Sequence, residues 1–121
     1  MNMKKTILLL SLSIISNVAI SKTVSDFINE NPELAKSPTI KAAIQQGAIG
    51  NAGLDAASNG ATNKTLGADS QRLLAESGYE YAQAALRELA TSVCDDKDLS
   101  QVYGLRKKDC LTIIKVDSEI E

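Results

Sequence analysis

Residues 68–93 read ADSQRLLAESGYEYAQAALRELATSV, and their periodicity decides the fold class. Leu74, Tyr81, Ala85, Leu89 and Val93 recur at helical spacing, with the small residues Gly78 and Ala82 between them. That pattern predicts one long amphipathic helix. Alanine, leucine, glutamate, glutamine and arginine fill the stretch, all good helix formers. Asp69 is a candidate cap, and Gly78 is the position where the helix bends or divides. The alanine-rich face fits close packing against a second helix. On this helix Tyr79 and Tyr81 point to different sides. Tyr81 is expected on the apolar face, and Tyr79 is expected to be exposed, either as an ordinary surface tyrosine or as an interface anchor.

Towards the N-terminus, residues 22–46 predict two short helices. Thr23 or Ser25 can cap the first, which carries Val24, Phe27 and Ile28 on one side. Asn31-Pro32-Glu33 marks a turn or a fresh start. Ser37-Pro38 then repeats the start signal, with serine as N-cap and proline at the first helical position. Ile40, Ala43 and Ile44 follow at helical spacing, and Gly47 is expected to stop the helix. Residues 47–67 contain five glycines and only three large apolar residues, Ile49, Leu54 and Leu66. They are read as a connection or a weak, interrupted helix; the alternative is a helix that Gly47, Gly50 and Gly53, three residues apart, let lie close to a neighbour. The Asn63-Lys64-Thr65 ending does not complete a phosphate-binding loop.

Towards the C-terminus, a short helix through Leu99, Val102 and Tyr103 is expected to end at Gly104. The run Cys110–Val116 combines β-branched residues with helical spacing. No other segment is a convincing strand, and one strand makes no sheet, so helix is preferred.

The first segment stands apart. Residues 1–5 are short and positive, residues 6–20 are apolar, and Ala19 and Ser21 place small residues before a cut at Lys22. This is the pattern of a secretory signal peptide covering 1–21, which leaves 22–121 as a single helical domain in the periplasm or outside the cell. The apolar run is shorter than the roughly 20 residues that span a bilayer, so no stable membrane span is expected after cleavage. In an exported chain the only two cysteines, Cys94 and Cys110, read as a structural disulfide.

Composition removes several function classes. The 121 residues hold no histidine and no tryptophan, and only four aromatic residues. A Ser-His-Asp or Cys-His catalytic centre and a His-ligated metal site are therefore excluded within this chain. No nucleophile has an evident base, so no catalytic residue, metal or cofactor is assigned and the chain is read as no enzyme. Asp96-Lys97-Asp98 opens like a calcium loop, but Gln101 and Lys107 stand where glycine and glutamate belong. Beyond residue 21 the chain carries 11 basic residues against 15 acidic, a net charge of −4. Such a chain has no electrostatic reason to seek nucleic acid. Of its 41 apolar residues there, 14 are alanine, so the core is thin and a disulfide, partner or second copy matters to stability.

The combined expectation is all-α: a small bundle of four to five short helices with one long central helix, stapled by one disulfide. The disulfide brings an acidic cluster, Asp95, Asp96 and Asp98, near a basic one, Arg106, Lys107 and Lys108. Together with Tyr79 these form the candidate partner-binding set, while the bland alternative is a pair of solvated turns with weak ion pairs. In size, export and single disulfide the chain resembles small periplasmic inhibitor and immunity proteins. That resemblance implies steric occlusion of an envelope enzyme or toxin. The alternative is an accessory subunit of an envelope secretion or conjugation apparatus, with the Ala/Gly-rich middle packed on neighbouring subunits. A homodimer is compatible with either.

Overall fold

The computed structural model describes residues 22–120; the predicted signal peptide lies outside the described residues. Among those described there is no strand. Six helices follow in order: α1 Val24–Asn29, α2 Pro32–Ala35, α3 Pro38–Ser58, α4 Leu66–Glu88, α5 Lys97–Val102 and α6 Lys107–Ile120. A π-helical turn, Leu89–Val93, extends α4. The all-α expectation holds, and α6 resolves the ambiguous C-terminal run as helix. No described helix is long and apolar enough to cross a membrane.

Local signals set most boundaries. The Thr23 hydroxyl accepts from the Asp26 N–H at 3.1 Å, and the Asp26 carboxylate accepts from the Thr23 N–H at 2.8 Å. This reciprocal pair is a capping box. The Ser37 hydroxyl accepts from the Ile40 N–H at 3.2 Å and caps α3. Asp69, a cap candidate, instead lies in the first turn of α4, whose N-cap position is Thr65.

Two expectations change. Gly47 does not end a helix, and the stretch read as a connection is helical as far as Ser58; only 59–65 connects α3 to α4. The reason is tertiary. Ala48, Ala52 and Ala56 recur every fourth residue and are fully buried against α4, so small side chains that give little helix amphipathicity still form a seam. A methyl at Gly47 would sit 2.8 Å from the Ala85 Cβ. Glycine at this position therefore serves close helix approach rather than termination. The true stop is Gly60, at φ +97°, where Ala61 N–H donates to Ala56 O at 3.0 Å and Gly60 N–H to Ala57 O at 3.1 Å. These two bonds close a Schellman motif that needs a left-handed residue.

The second change concerns α4. Ser77 departs from helical geometry (φ −137°, ψ 22°), one residue before the predicted weak point. The kink frees the Tyr79 N–H, which donates to Lys22 O at 3.1 Å. A Cβ on Gly78 would meet Val24 N at 3.1 Å, so the missing side chain admits the start of α1. Leu74 and Tyr81 are only half-buried, while Gly78, Ala82, Ala85, Leu86, Leu89 and Val93 lie inside. The core gathers Ala82, Leu86, Leu89 and Val93 around Phe27, Ile28, Leu34, Ile40, Ile44, Ile113 and Val116.

Candidate functional site

The region around the disulfide is built by three local devices. The π-turn closes with Cys94 N–H donating to Leu89 O at 2.8 Å. Its wider turn re-aims the end of α4 towards α6. Cys94 and Cys110 are then bonded, with Cα atoms 5.5 Å apart. Inside the closed loop, the Asp96 carboxylate accepts from the Asp98 and Leu99 N–H groups at 2.9 and 3.1 Å and caps α5. At the other end Gly104 adopts φ +72°. There Leu105 N–H donates to Ser100 O at 2.8 Å and Gly104 N–H to Gln101 O at 2.9 Å, a second Schellman motif.

Leu105 is 6% exposed and pins the loop into the core, yet no residue of α5 is buried. Val102 is 79% exposed, Leu99 41% and Tyr103, just beyond the helix, 40%. A six-residue helix has no stability of its own in water. It persists here because its caps and the disulfide hold both ends. Val102 and Tyr103 form one wall of an open groove of about 560 Å³, and the first turns of α3 (Pro38, Thr39, Ala42, Ala43, Gln46) form the other.

A buried carboxylate ties this loop to α3. Asp109 is 3% exposed. Its Oδ2 accepts from the Arg106 N–H at 2.9 Å and from Arg106 Nε at 3.2 Å, and its Oδ1 accepts from the Ser37 hydroxyl at 3.4 Å. Ser37 thus accepts from α3 and donates to α6, linking the two helix starts. Burial pushes the Asp109 carboxyl up. The Arg106 backbone N–H, the Arg106 guanidinium and the Ser37 hydroxyl outweigh that and hold it below the usual carboxylate value. Asp109 was not singled out from sequence. It accepts from the Arg106 N–H as the acidic half of a capping box does, but the Ser or Thr that marks that motif in a sequence is absent, since Arg106 stands in its place.

Asp95, Asp96 and Asp98 are exposed, as are Arg106, Lys107 and Lys108. The loop brings Asp95, Lys97, Arg106 and Lys107 around one groove beside the disulfide. Among the described residues no ion pair joins the acidic cluster to the basic one; Arg106 pairs with Asp109 instead. Tyr79 is not the free surface ring expected. It is half-buried, packs edge-on against Phe27 with ring centroids 5.3 Å apart, and donates its hydroxyl to Glu30 at 2.9 Å. That donation, reinforced by burial, raises its pKa. Tyr81 donates to Asp55 at 2.8 Å. The α3 wall of the groove was missed because its residues lie about sixty positions before Val102 and carry no motif.

Among the described residues, no group of three or more histidine, cysteine, aspartate or glutamate side chains is arranged to hold a metal ion. Comparison with protein-family models, curated proteins and solved structures gave no match to the chain.

Proposed function

We propose that this is an exported, non-enzymatic protein-binding domain that acts in the periplasm or another oxidising compartment. It occludes an envelope enzyme or toxin by docking through its disulfide loop, as an inhibitor or immunity protein does. The observation that carries the reading is α5, a rigidly held helix with no buried side chain and with Val102 79% exposed. Helix α5 adds almost nothing to the core, while its exposed apolar side chains cost hydration free energy until something covers them. An anchored, pre-ordered loop also loses little entropy on binding.

The test uses residues 22–121 and the Val102→Asp variant against the envelope fraction of the source cells. The expected result is a soluble 1:1 complex with one enzyme or toxin, lost in the variant, with both proteins equally folded by circular dichroism. Equal capture by both proteins would refute docking through α5.

A second reading, an accessory subunit of an envelope assembly, draws support from α3. Residues 42–54 contain no charged side chain, and Ile49 and Leu54 are 45% and 69% exposed. Co-fractionation with a large membrane complex, unaffected by Val102→Asp and abolished by Leu54→Asp, would favour it.

A further inference from the structure

The apolar groove between α3 and α5 does not end at Pro38. That residue also lines a second cleft of about 320 Å³, bordered by Lys36, Arg106 and Lys108. Two carboxylates, Glu33 and Asp109, line the same cleft, and both are already engaged. Lys115 holds Glu33 at 3.2 Å, and Arg106 with Ser37 holds Asp109. Lys36 and Lys108 are exposed and meet no carboxylate among the described residues. Past Arg106 the surface continues into the groove lined by Lys97, Lys107 and the exposed Asp95. A neutral, apolar track therefore runs into a cleft whose two carboxylates are paired and whose Lys36 and Lys108 are not.

From this juxtaposition we infer that the docking surface takes a partner segment of defined chemistry: an apolar helical face followed by carboxylates. The apolar face lies between α3 and Val102 and Tyr103, and the carboxylates meet Lys36 and Lys108. The inference rests on the docking reading above and specifies its partner. Overall charge sharpens it further. Residues 22–121 carry a net charge of −4, so a broadly acidic partner is repelled at long range. Attraction confined to this patch acts within roughly a Debye length, about 10 Å at moderate salt. The acidic groups must then be local to the segment.

The probe is an amphipathic helical peptide about four turns long, with leucines on one face and glutamates at its end and opposite face. Companion peptides carry glutamine or lysine in place of glutamate. By fluorescence anisotropy at low salt, the glutamate peptide is expected to bind about tenfold tighter than the glutamine peptide, and the lysine peptide more weakly still. The glutamate advantage should vanish at high salt and in Lys36→Glu/Lys108→Glu, a variant of exposed side chains that leaves folding intact. Val102→Asp should weaken the glutamate and glutamine peptides alike.

Equal binding of the glutamate and glutamine peptides, still sensitive to Val102→Asp, would overturn the acidic assignment and leave the docking reading standing. No binding of any peptide would overturn the inference while the capture experiment above still judged that reading. Self-association, or adsorption to phosphatidylglycerol vesicles, that Lys36→Glu/Lys108→Glu abolishes would also overturn it. The patch would then serve a second copy or a lipid surface.

Discussion

The contact between α3 and α4 at Gly47 predicts opposite outcomes for one substitution made at two places in the same helix. Glycine to alanine in a helix interior gains about 1 kcal/mol from backbone entropy and propensity. At Gly50 nothing lies within 4 Å of the added Cβ, so Gly50→Ala should realise most of that gain. For a domain of this size, that raises Tm by about 4–8 °C per kcal/mol. At Gly47 the added Cβ would stand 2.8 Å from the Ala85 Cβ, roughly 1 Å inside a relaxed carbon–carbon contact. Both methyls are fixed to backbone, so no rotamer relieves the clash. The two helices must part along a seam in which Ala48, Ala52 and Ala82 are fully buried. Overpacking of this kind costs about 1–3 kcal/mol. Gly47→Ala should therefore be neutral to about 2 kcal/mol destabilising, the cost less the propensity gain. Urea titrations followed by circular dichroism measure both variants. A double-mutant cycle with Ala85→Gly then isolates the contact, with an expected favourable coupling of about 1–3 kcal/mol. If Gly47→Ala stabilises as much as Gly50→Ala, or if the two substitutions simply add, the close-approach reasoning is wrong.

Other perturbations have equally definite signs. Replacing Cys94 and Cys110 by alanine opens a loop with a sequence separation of 16 and should cost about 3 kcal/mol; a reducing agent should lower the wild-type urea midpoint by a matching amount. Asp109→Asn removes a buried, charge-assisted cluster and should cost about 1.5–3 kcal/mol at neutral pH. Because the Asp109 carboxyl is held below its ordinary value in the folded state, its stabilisation is full above pH ~4 and fades as pH falls through the lower folded value. The gap between wild type and Asp109→Asn should thus narrow in acid, and a gap constant down to pH ~2 would contradict the assignment. Gly104→Ala forces alanine to φ +72° and should cost about 1–2 kcal/mol, read as a lower urea midpoint.

The starts of the first three helices and the disulfide were legible because their causes are local. Ser37-Pro38 and the Gly104 stop need only a few neighbouring residues to act, and the two-cysteine count leaves one intramolecular pairing. The run from Cys110 to Val116 was harder, since β-branched side chains suit either state; the absence of any partner strand decided it. Residues 47–58 leave two readings open in the sequence: glycine propensity favours a connection or weak helix, while glycines three apart also fit a helix lying close to a neighbour, and the approach of Ala85 to Gly47 decides for the second. Tyr79 was misplaced for a related reason. Its helical neighbours Glu76 and Gln83 are exposed, but the kink at Ser77 turns its ring towards Phe27.

The candidate surface divides along the same line. Its charged rim could be found by scanning for clusters, and its apolar ridge of Leu99, Val102 and Tyr103 by helical spacing. Spacing alone does not say whether this ridge is buried. Only the fold shows that α5 sits outside the core, that the first turns of α3 complete the groove, and that Asp109 and Glu33 are engaged while Lys36 and Lys108 are not.

By itself the sequence determined the helical class, the starts of the first three helices, the disulfide and the absence of histidine-based chemistry. Each of these depends on residue type within a turn or two, or on a simple count. Tertiary structure alone decided that a glycine-rich stretch is helix, that a tyrosine expected at the surface packs against the core, and which charges remain unpaired. Those outcomes depend on distances between residues far apart in the chain, such as the 2.8 Å approach of Gly47 to Ala85, and no local pattern encodes them.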